Sequence, residues 1–249
     1  MSGHSKWSTI KRKKGAADAK RGRMFSRMNK EIMLAARNGG SDPSSNIRLR
    51  NAIAAAKEIN MPKDTIQRAL KKGAGELDDG SIIEEVNYEG YGPAGVAVMV
   101  ETITDNRNRT TADVRHAFAK HGGNLGETGC VGWMFSRKGL ISFLKAGLDQ
   151  AKLEEVAIES GADDIKEDQE TVDITCSPED FDTLKQAFEK AGFKWELAEI
   201  SNIPQSTAKV EGRQAEAMLR LMEVLEDLDD VQHVWANFDI SEEDMKALE

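Results

Sequence analysis

The fold of this chain is decided by residues 139–200, which read GLISFLKAGLDQAKLEEVAIESGADDIKEDQETVDITCSPEDFDTLKQAFEKAGFKWELAEI. Alternating apolar residues predict strands at 140–144, 164–166, 171–176 and 193–200. Apolar residues at helical spacing predict helices at 149–160 and 179–190, which end at Gly161 and Gly192. The resulting order β-α-β-β-α-β is that of a complete ferredoxin-like unit.

Elements on both sides of this unit predict a second one wrapped around it. A strand at 82–88 is followed by a strand at 96–104, a helix at 110–120 and a strand at 130–135. After the inserted unit come a strand at 206–210, a helix at 211–229 and a strand at 231–239. If the inserted unit closes on itself, the flanking β-α-β segments pair with one another. The sequence therefore predicts an α+β fold in which one ferredoxin-like α/β domain is inserted in another.

The amino-terminal part is predicted to be helical. Helices are predicted at 20–37, 45–59 and 62–73, and their few large apolar residues indicate a small core. An acidic linker follows at 76–80. We therefore expect three domains: a basic arm with a three-helix domain at 1–78, a discontinuous α/β domain at 79–136 with 203–249, and the inserted α/β domain at 137–202.

Charge is strongly segregated along the chain. Residues 1–75, the basic head, contain 18 Lys and Arg against 5 Asp and Glu, whereas residues 76–249, the acidic body, contain 16 against 38. The net charge of −9 therefore combines +13 in the head with −22 in the body. A segregated basic block favours a polyanionic partner, most often nucleic acid. The alternative is a solvated face together with a flexible tail.

Two features of the head predict phosphate contacts. A basic ridge follows one side of the first helix, opposite an apolar stripe, and consists of Lys20, Arg23, Arg27, Lys30 and Arg37. The preceding arm contributes Lys6, Trp7, Lys11, Arg12, Lys13 and Lys14. Trp7 could stack on a base or anchor the arm on the protein. If the ridge follows a phosphate backbone, replacing Arg23, Arg27 and Lys30 by Ala lowers the slope of log K against log salt by up to about 2–3.

A weaker candidate site lies at the predicted start of the helix at 110–120. Arg107 and Arg109 crowd this helix start, where exposed N–H groups favour anions, so an external phosphate could bind there. Alternatively, Asp105 and Asp113 pair with the two arginines and form a capped turn.

Other patterns favour a protein without catalytic chemistry. The glycine-rich run at 122–132 follows a helix and precedes a strand, the reverse of a nucleotide-binding loop. The four histidines have no metal-ligand spacing, and no catalytic triad is evident. We expect no catalytic residues, no metal, no cofactor and no small-molecule substrate. No apolar run reaches membrane-spanning length, and two distant cysteines are typical of a reducing cytosol. The expected location is the cytoplasm.

Several motifs together closely resemble those of the YebC/PmpR family. They are Gly3-His4-Ser5-Lys6-Trp7, the basic run 10–14, Arg21-Gly22-Arg23-Met24-Phe25-Ser26, Tyr88-Glu89-Gly90-Tyr91-Gly92-Pro93, Asn106-Arg107-Asn108-Arg109-Thr110 and Gly122-Gly123-Asn124-Leu125. The likeness covers essentially the whole chain. It implies a helical amino-terminal domain and two α/β domains.

The resemblance also implies a cytoplasmic regulator of gene expression. Family members are described as probable DNA-binding transcriptional regulators, so DNA binding and transcription regulation are expected. Similar proteins, including a mitochondrial translational activator of cytochrome oxidase, instead imply RNA binding at the ribosome, with relief of stalling at proline-rich stretches as one role in translation. From the residues alone, a protein-interaction module whose basic head docks on acidic protein, even its own body, is a further alternative. The oligomeric state is open.

Overall fold

A computed structural model describes residues 17–77, 82–168 and 170–241, with side chains from residue 22 onward. Its amino-terminal part contains three helices: α1 (Ala17–Gly39), α2 (Ile47–Glu58) and α3 (Lys63–Gly73). All three sequence-predicted helices are confirmed. Helices α2 and α3 both pack on α1, and their shared core includes Ile32, Leu49 and Ile66. This small core is completed by the body, because Ile83 and Ile103 belong to the same cluster.

One side chain fixes the corner between the first two helices. Asn46 is the N-cap of α2, and its side-chain oxygen accepts a hydrogen bond from the N–H of Leu49 at 3.0 Å. Its amide donates to the carbonyls of Ala35 and Gly40, both at 2.8 Å. A single buried amide therefore caps α2 and satisfies carbonyls at the end of α1.

In the remaining chain, pairs of strands are separated by single α-helices. They are β1 (Glu84–Tyr91), β2 (Ala97–Thr104), α4 (Arg107–Lys120), β3 (Asn124–Leu125), β4 (Phe135–Leu144), α5 (Gln150–Glu159), β5 (Asp164–Glu167), β6 (Thr171–Cys176), α6 (Phe181–Lys190), β7 (Leu197–Pro204), β8 (Ala208–Lys209), α7 (Gly212–Asp227), β9 (Val231–Ala236) and β10 (Phe238–Asp239). With the amino-terminal helices, they give the α+β fold class that the sequence predicts.

The insertion has the predicted ferredoxin-like topology. Its strands pair antiparallel in the order β5-β6-β4-β7, and both connecting helices contribute to one core. Three aromatic rings pack edge to face in that core, with Phe143 and Phe188 centroids 4.9 Å apart and Phe193 about 6 Å from both. The strand predicted at 193–200 begins later, at Leu197.

The sheet that surrounds the insertion uses different strands from those predicted. Its order is β3-β1-β2-β9, and α4 and α7 pack together on one face. The hairpin strand β1 lies beside β2, and a short parallel pair, β8 and β10, adjoins this sheet. The first and last strands of the insertion meet at its boundary, because Phe135 pairs with Pro204 and the N–H of Gln205 donates to the carbonyl of Met134 at 2.9 Å. The predicted domain boundaries themselves stay a prediction.

The strand predicted at 130–135 is wrong. Residues Gly132–Met134 form a 3₁₀ turn, and Phe135 already belongs to the inserted sheet. The physical reason is a buried carboxylate: Glu89 accepts hydrogen bonds from the N–H groups of Gly129, Val131 and Gly132 at 2.8, 2.8 and 2.6 Å. Those N–H groups therefore cannot join a ladder.

The last predicted strand is divided in two at Asn237. The side-chain oxygen of Asn237 accepts from the N–H of Ala97 at 2.8 Å, and its amide donates to the carbonyl of Ser206 at 3.2 Å. This side chain takes the place of ladder partners, so β9 ends and β10 pairs with β8 instead.

Candidate nucleic-acid interface

The sequence-predicted interface residues fall in three groups. The arm residues Lys6, Trp7, Lys11, Arg12, Lys13 and Lys14 lie outside the described residues. Lys20 lies on α1, but its side chain is outside the described part. The other members of the basic ridge, together with Arg107 and Arg109, have described side chains, and their surroundings can be compared with the prediction.

The basic ridge faces the acidic body. Its partners are the end of α7 and the residues that follow, here called the acidic turn, which consists of Glu226, Asp227, Asp229 and Asp230. Arg23 pairs with Asp227 at 3.2 Å, and Arg27 donates to the carbonyl of Glu226. The ridge is therefore matched to a helix C-terminus, where carbonyl oxygens and the helix dipole favour cations.

The ridge contact is anchored at its inner end by Lys30. Its ammonium lies 2.5 Å from a carboxylate oxygen of Asp230 and donates to the carbonyl of Asp229 at 2.9 Å. Arg37, at the far end of the helix, donates to the carbonyl of Ile83 at 3.4 Å. Thus every ridge residue whose side chain is described contacts the body.

Arg27 is held in an unusual environment. Burial is the main influence on its guanidinium and lowers its pKa from the ordinary value, although the nearby Glu226 favours the charged form. Its Nε is buried and has no hydrogen-bond partner among the described residues. The guanidinium therefore retains an unsatisfied donor inside the ridge contact.

Asp230 joins three parts of the molecule. Its side chain is only 7% exposed, and it accepts from Lys30 on α1, from Arg109 at 2.9 Å and from the Thr110 hydroxyl at 2.6 Å. Burial alone would raise the pKa of this carboxyl, but the converging donors outweigh burial and hold the pKa below its ordinary value. The residue is therefore an ionised hub between the helical head and the central sheet.

At the start of α4, the two predicted arginines have different environments. The helix begins at Arg107 and not at the predicted Thr110, because the side chain of Asn106 caps it by accepting from the N–H of Arg109 at 3.1 Å. Arg109 pairs with Asp105 at 2.9 Å, as the capped-turn alternative predicts, and with Asp230, which no local pattern indicates. Arg107 is exposed, and no ion pair of its side chain is found among the described residues.

The glycine-rich loop already holds an anion. Three of its N–H groups converge on Glu89, as a phosphate cradle would converge on a phosphate. Burial would raise the pKa of Glu89, but these three hydrogen bonds prevail and lower it. The loop is therefore occupied by the carboxylate of its own chain.

A set of cations that the sequence did not single out lies on α2 and α3. These free cations are exposed, and within the described part of the chain their side chains make no hydrogen bond or ion pair; they are Lys57, Lys63, Arg68 and Lys71. Arg48, on the same domain, pairs with Glu31 at 2.7 Å and with Glu85 at 3.0 Å. The charge of the helical domain thus divides into a paired set and an unpaired set.

No described helix is long and apolar enough to cross a membrane. Among the residues that the structure describes, no group of three or more His, Cys, Asp or Glu side chains is placed to hold a metal ion.

The protein has three parts and an α+β fold: a helical head docked through the basic ridge on the acidic turn, a central sheet, and an inserted ferredoxin-like unit. The model of the TACO1/YebC protein N-terminal domain matches residues 5–76, and that of the TACO1/YebC second and third domain matches residues 83–238. The chain therefore belongs to the TACO1/YebC family, and the resemblance to YebC/PmpR proteins is confirmed.

Individual relatives match over all or nearly all of their length. A probable transcriptional regulatory protein of Geotalea uraniireducens is 59% identical over 248 residues, 100% of both chains. One from Geobacter sulfurreducens is 57% identical, again over 100% of both chains. A crystal structure of a conserved hypothetical protein from Aquifex aeolicus is 50% identical, with a TM-score of 0.79 over 90% of this chain and 93% of that one.

Proposed function

We propose that this protein is a regulator of gene expression that binds nucleic acid without catalysing a reaction. The observation that carries the proposal is the segregation of charge, with 18 basic against 5 acidic residues in the head and 16 against 38 in the body. Such a molecule presents one end to a polyanion and repels it with the other. The names of its relatives, probable transcriptional regulatory proteins, support the same role.

The proposed contacts are made by the arm, the exposed part of the basic ridge and Arg107. The free cations of α2 and α3 extend this surface. Phosphate contacts position a protein on nucleic acid without reading its sequence. The proposed partner is DNA, the proposed location is the cytoplasm, and no cofactor is required.

A binding experiment with salt titration tests this function. Nuclease-treated protein is titrated with a duplex DNA and with a structured RNA between about 50 and 200 mM salt, where phosphate contacts weaken steeply. We expect binding that weakens linearly in log K against log salt. Absence of binding to both nucleic acids at the lowest salt would contradict the proposal.

Crosslinking in cells, followed by sequencing of the attached nucleic acid, identifies the target. Promoter DNA is expected for a transcriptional regulator. Recovery of ribosomal RNA would replace that role with the translation role, because phosphate-directed contacts suit structured RNA equally well.

A second candidate function, docking on acidic protein, is favoured by one observation. The basic ridge contacts an acidic protein surface, the acidic turn of its own body. Gel filtration of tagged protein from nuclease-treated lysate separates the two functions. A partner that co-elutes after nuclease treatment would favour protein docking, whereas its loss would favour nucleic acid.

A further inference from the structure

The contact between the basic ridge and the acidic turn has two unequal ends. At the inner end, Lys30 meets Asp230, whose side chain is 7% exposed. At the outer end, the side chains of Arg23 and Asp227 are 37% and 47% exposed. Solvent screens the outer pair strongly and the inner pair much less.

Breaking the contact at the inner end has a high cost in free energy. Asp230 also binds Arg109 and Thr110, so removal of Lys30 would leave a network partly unpaired. Beside it, Ile103 is fully buried in the core that the head shares with the body, and Ile83 is nearly so. Separation of head and body would expose both isoleucines to water. Any rearrangement of the ridge therefore begins at the outer end, with the head still docked.

The outer end contains the same type of cation that a phosphate would attract. Arg23 can bind a carboxylate or a phosphate oxygen with the same guanidinium N–H groups. Asp227 meets Arg23 at one terminal nitrogen, 3.2 Å away, and a phosphate that binds at this nitrogen displaces the carboxylate, because the two anions also repel each other. Arg27, one turn further along α1, has a buried Nε without a partner among the described residues, and it could use a second acceptor.

We propose that the acidic turn and nucleic acid compete for the outer end of the basic ridge. In this arrangement Asp227 occupies part of the Arg23 guanidinium, and a phosphate backbone that docks on the basic head takes the place of Asp227. This inference rests on the proposed nucleic-acid function and adds an autoinhibitory contact to it. It implies that an acidic residue of the body, outside the basic head, sets the affinity for nucleic acid.

The test uses a pair of matched variants on α7. Asp227→Asn removes the partner of Arg23, and Glu223→Gln removes one negative charge a single turn earlier, at an exposed residue with no ion pair among the described residues. Both variants change the net charge equally, so general repulsion of nucleic acid falls by a similar amount. We expect Asp227→Asn to bind duplex DNA about two- to five-fold more tightly than Glu223→Gln, since exposed ion pairs are worth that factor.

A double-mutant cycle with Arg23→Ala gives a second measurement. If Asp227 competes with phosphate, Arg23→Ala lowers the affinity more in the Asp227→Asn background than in the wild type. If Arg23 only supports the fold, the loss is the same in both backgrounds. Equal affinities of Asp227→Asn and Glu223→Gln, or additive losses in the cycle, would overturn the competition.

The outcomes also separate this inference from the proposed function. Failure of the wild type and of all variants to bind either DNA or RNA would contradict both. Binding by the wild type with no difference between the matched variants would contradict the competition alone. Because Asp227 is exposed, thermal unfolding of Asp227→Asn is expected within a few degrees of the wild type.

Discussion

The basic ridge and the free cations belong to the same small helical domain but differ in their surroundings. Ridge residues Arg23 and Lys30 end against carboxylates, whereas Lys57, Arg68 and Lys71 end in solvent. The amino-acid composition of the two sets is alike. The two sets differ because the acidic turn, distant in sequence, contacts the described ridge residues and not the free cations. The sequence therefore gives the sign of each charge, but not whether an intramolecular partner already neutralises it.

The largest expected effect is a loss of stability on replacing Asp230, the carboxylate that pairs with the ridge residue Lys30. Asp230→Asn leaves Lys30 and Arg109 without their shared carboxylate, and we expect the free energy of unfolding to fall by about 3 kcal/mol. Urea unfolding measures the change. Asp229→Asn is the control, because Asp229 contacts Lys30 through its backbone carbonyl. A loss of equal size in both variants would mean that general charge, and not the hub, stabilises the docked head.

The next effect is a difference between the free cations and the basic ridge in how much each contributes to nucleic-acid binding. Replacing Lys57, Arg68 and Lys71 by Gln should reduce the slope of log K against log salt by up to about 2–3, because these cations reach phosphate without losing a partner. The same treatment of Arg23, Arg27 and Lys30 should reduce it by about 1 or less. Salt titrations of the two triple variants measure the difference. A larger reduction for the ridge variant would reverse our assignment of the two sets.

Acid should remove the stabilising effect of the carboxylate that pairs with the ridge, because Asp230 becomes protonated at low pH. The folded pKa of Asp230 lies below its unfolded value of about 3.9. Its contribution to stability is therefore present above the unfolded pKa and is lost as the pH falls through the folded pKa. Thermal unfolding of the wild type and of Asp230→Asn between pH 6 and pH 2.5 should give curves that converge at low pH. Parallel curves would show that Asp230 does not titrate in this range.

The smallest effect concerns an exposed pair that also bridges head and body. Arg48 contacts Glu85 at 3.0 Å with both side chains partly exposed. Glu85→Gln should change the free energy of unfolding by no more than about 0.5 kcal/mol, since solvent screens such pairs. Urea unfolding of Glu85→Gln and Asp230→Asn under the same conditions allows the two losses of stability to be compared. A loss as large as that of Asp230→Asn would remove the distinction between buried and exposed ends of the head–body contact.

Local patterns predicted the elements whose formation is local. The three head helices and the order of elements in the insertion follow from apolar spacing and helix stops such as Gly161. One error arose where a distant side chain overrides the local pattern, and another where a local helix cap was missed. Glu89 takes the N–H groups of Gly129, Val131 and Gly132 and prevents the predicted strand. Asn106 moves the start of α4 from residue 110 to Arg107, because its side chain caps the helix there by accepting from the N–H of Arg109.

The sign and the residues of the candidate interface stay a prediction, and no sequence pattern indicated the carboxylates that the ridge residues contact. Asp230 lies about two hundred residues from Lys30 along the chain and 121 from Arg109, and no local motif relates them. The free cations lacked a regular stripe of the kind that identifies the ridge. Only the folded arrangement distinguishes the cations that are already neutralised from those that are not.

The geometry at the junction of the insertion bears on whether the inserted unit could be deleted from the chain. Phe135 and Pro204 are neighbours in one ladder, and Met134 and Gln205 are already joined by a backbone hydrogen bond. Entry and exit of the inserted unit thus resemble the two strands of a hairpin stem. A short turn could close that stem in place of residues 135–204, in the way that hairpin loops join paired strands. Closing the stem in this way would also remove contacts of the central sheet, because Phe135 packs with Ala97, Val131 and Trp235, and the indole N–H of Trp235 donates to the Ser201 hydroxyl at 3.0 Å.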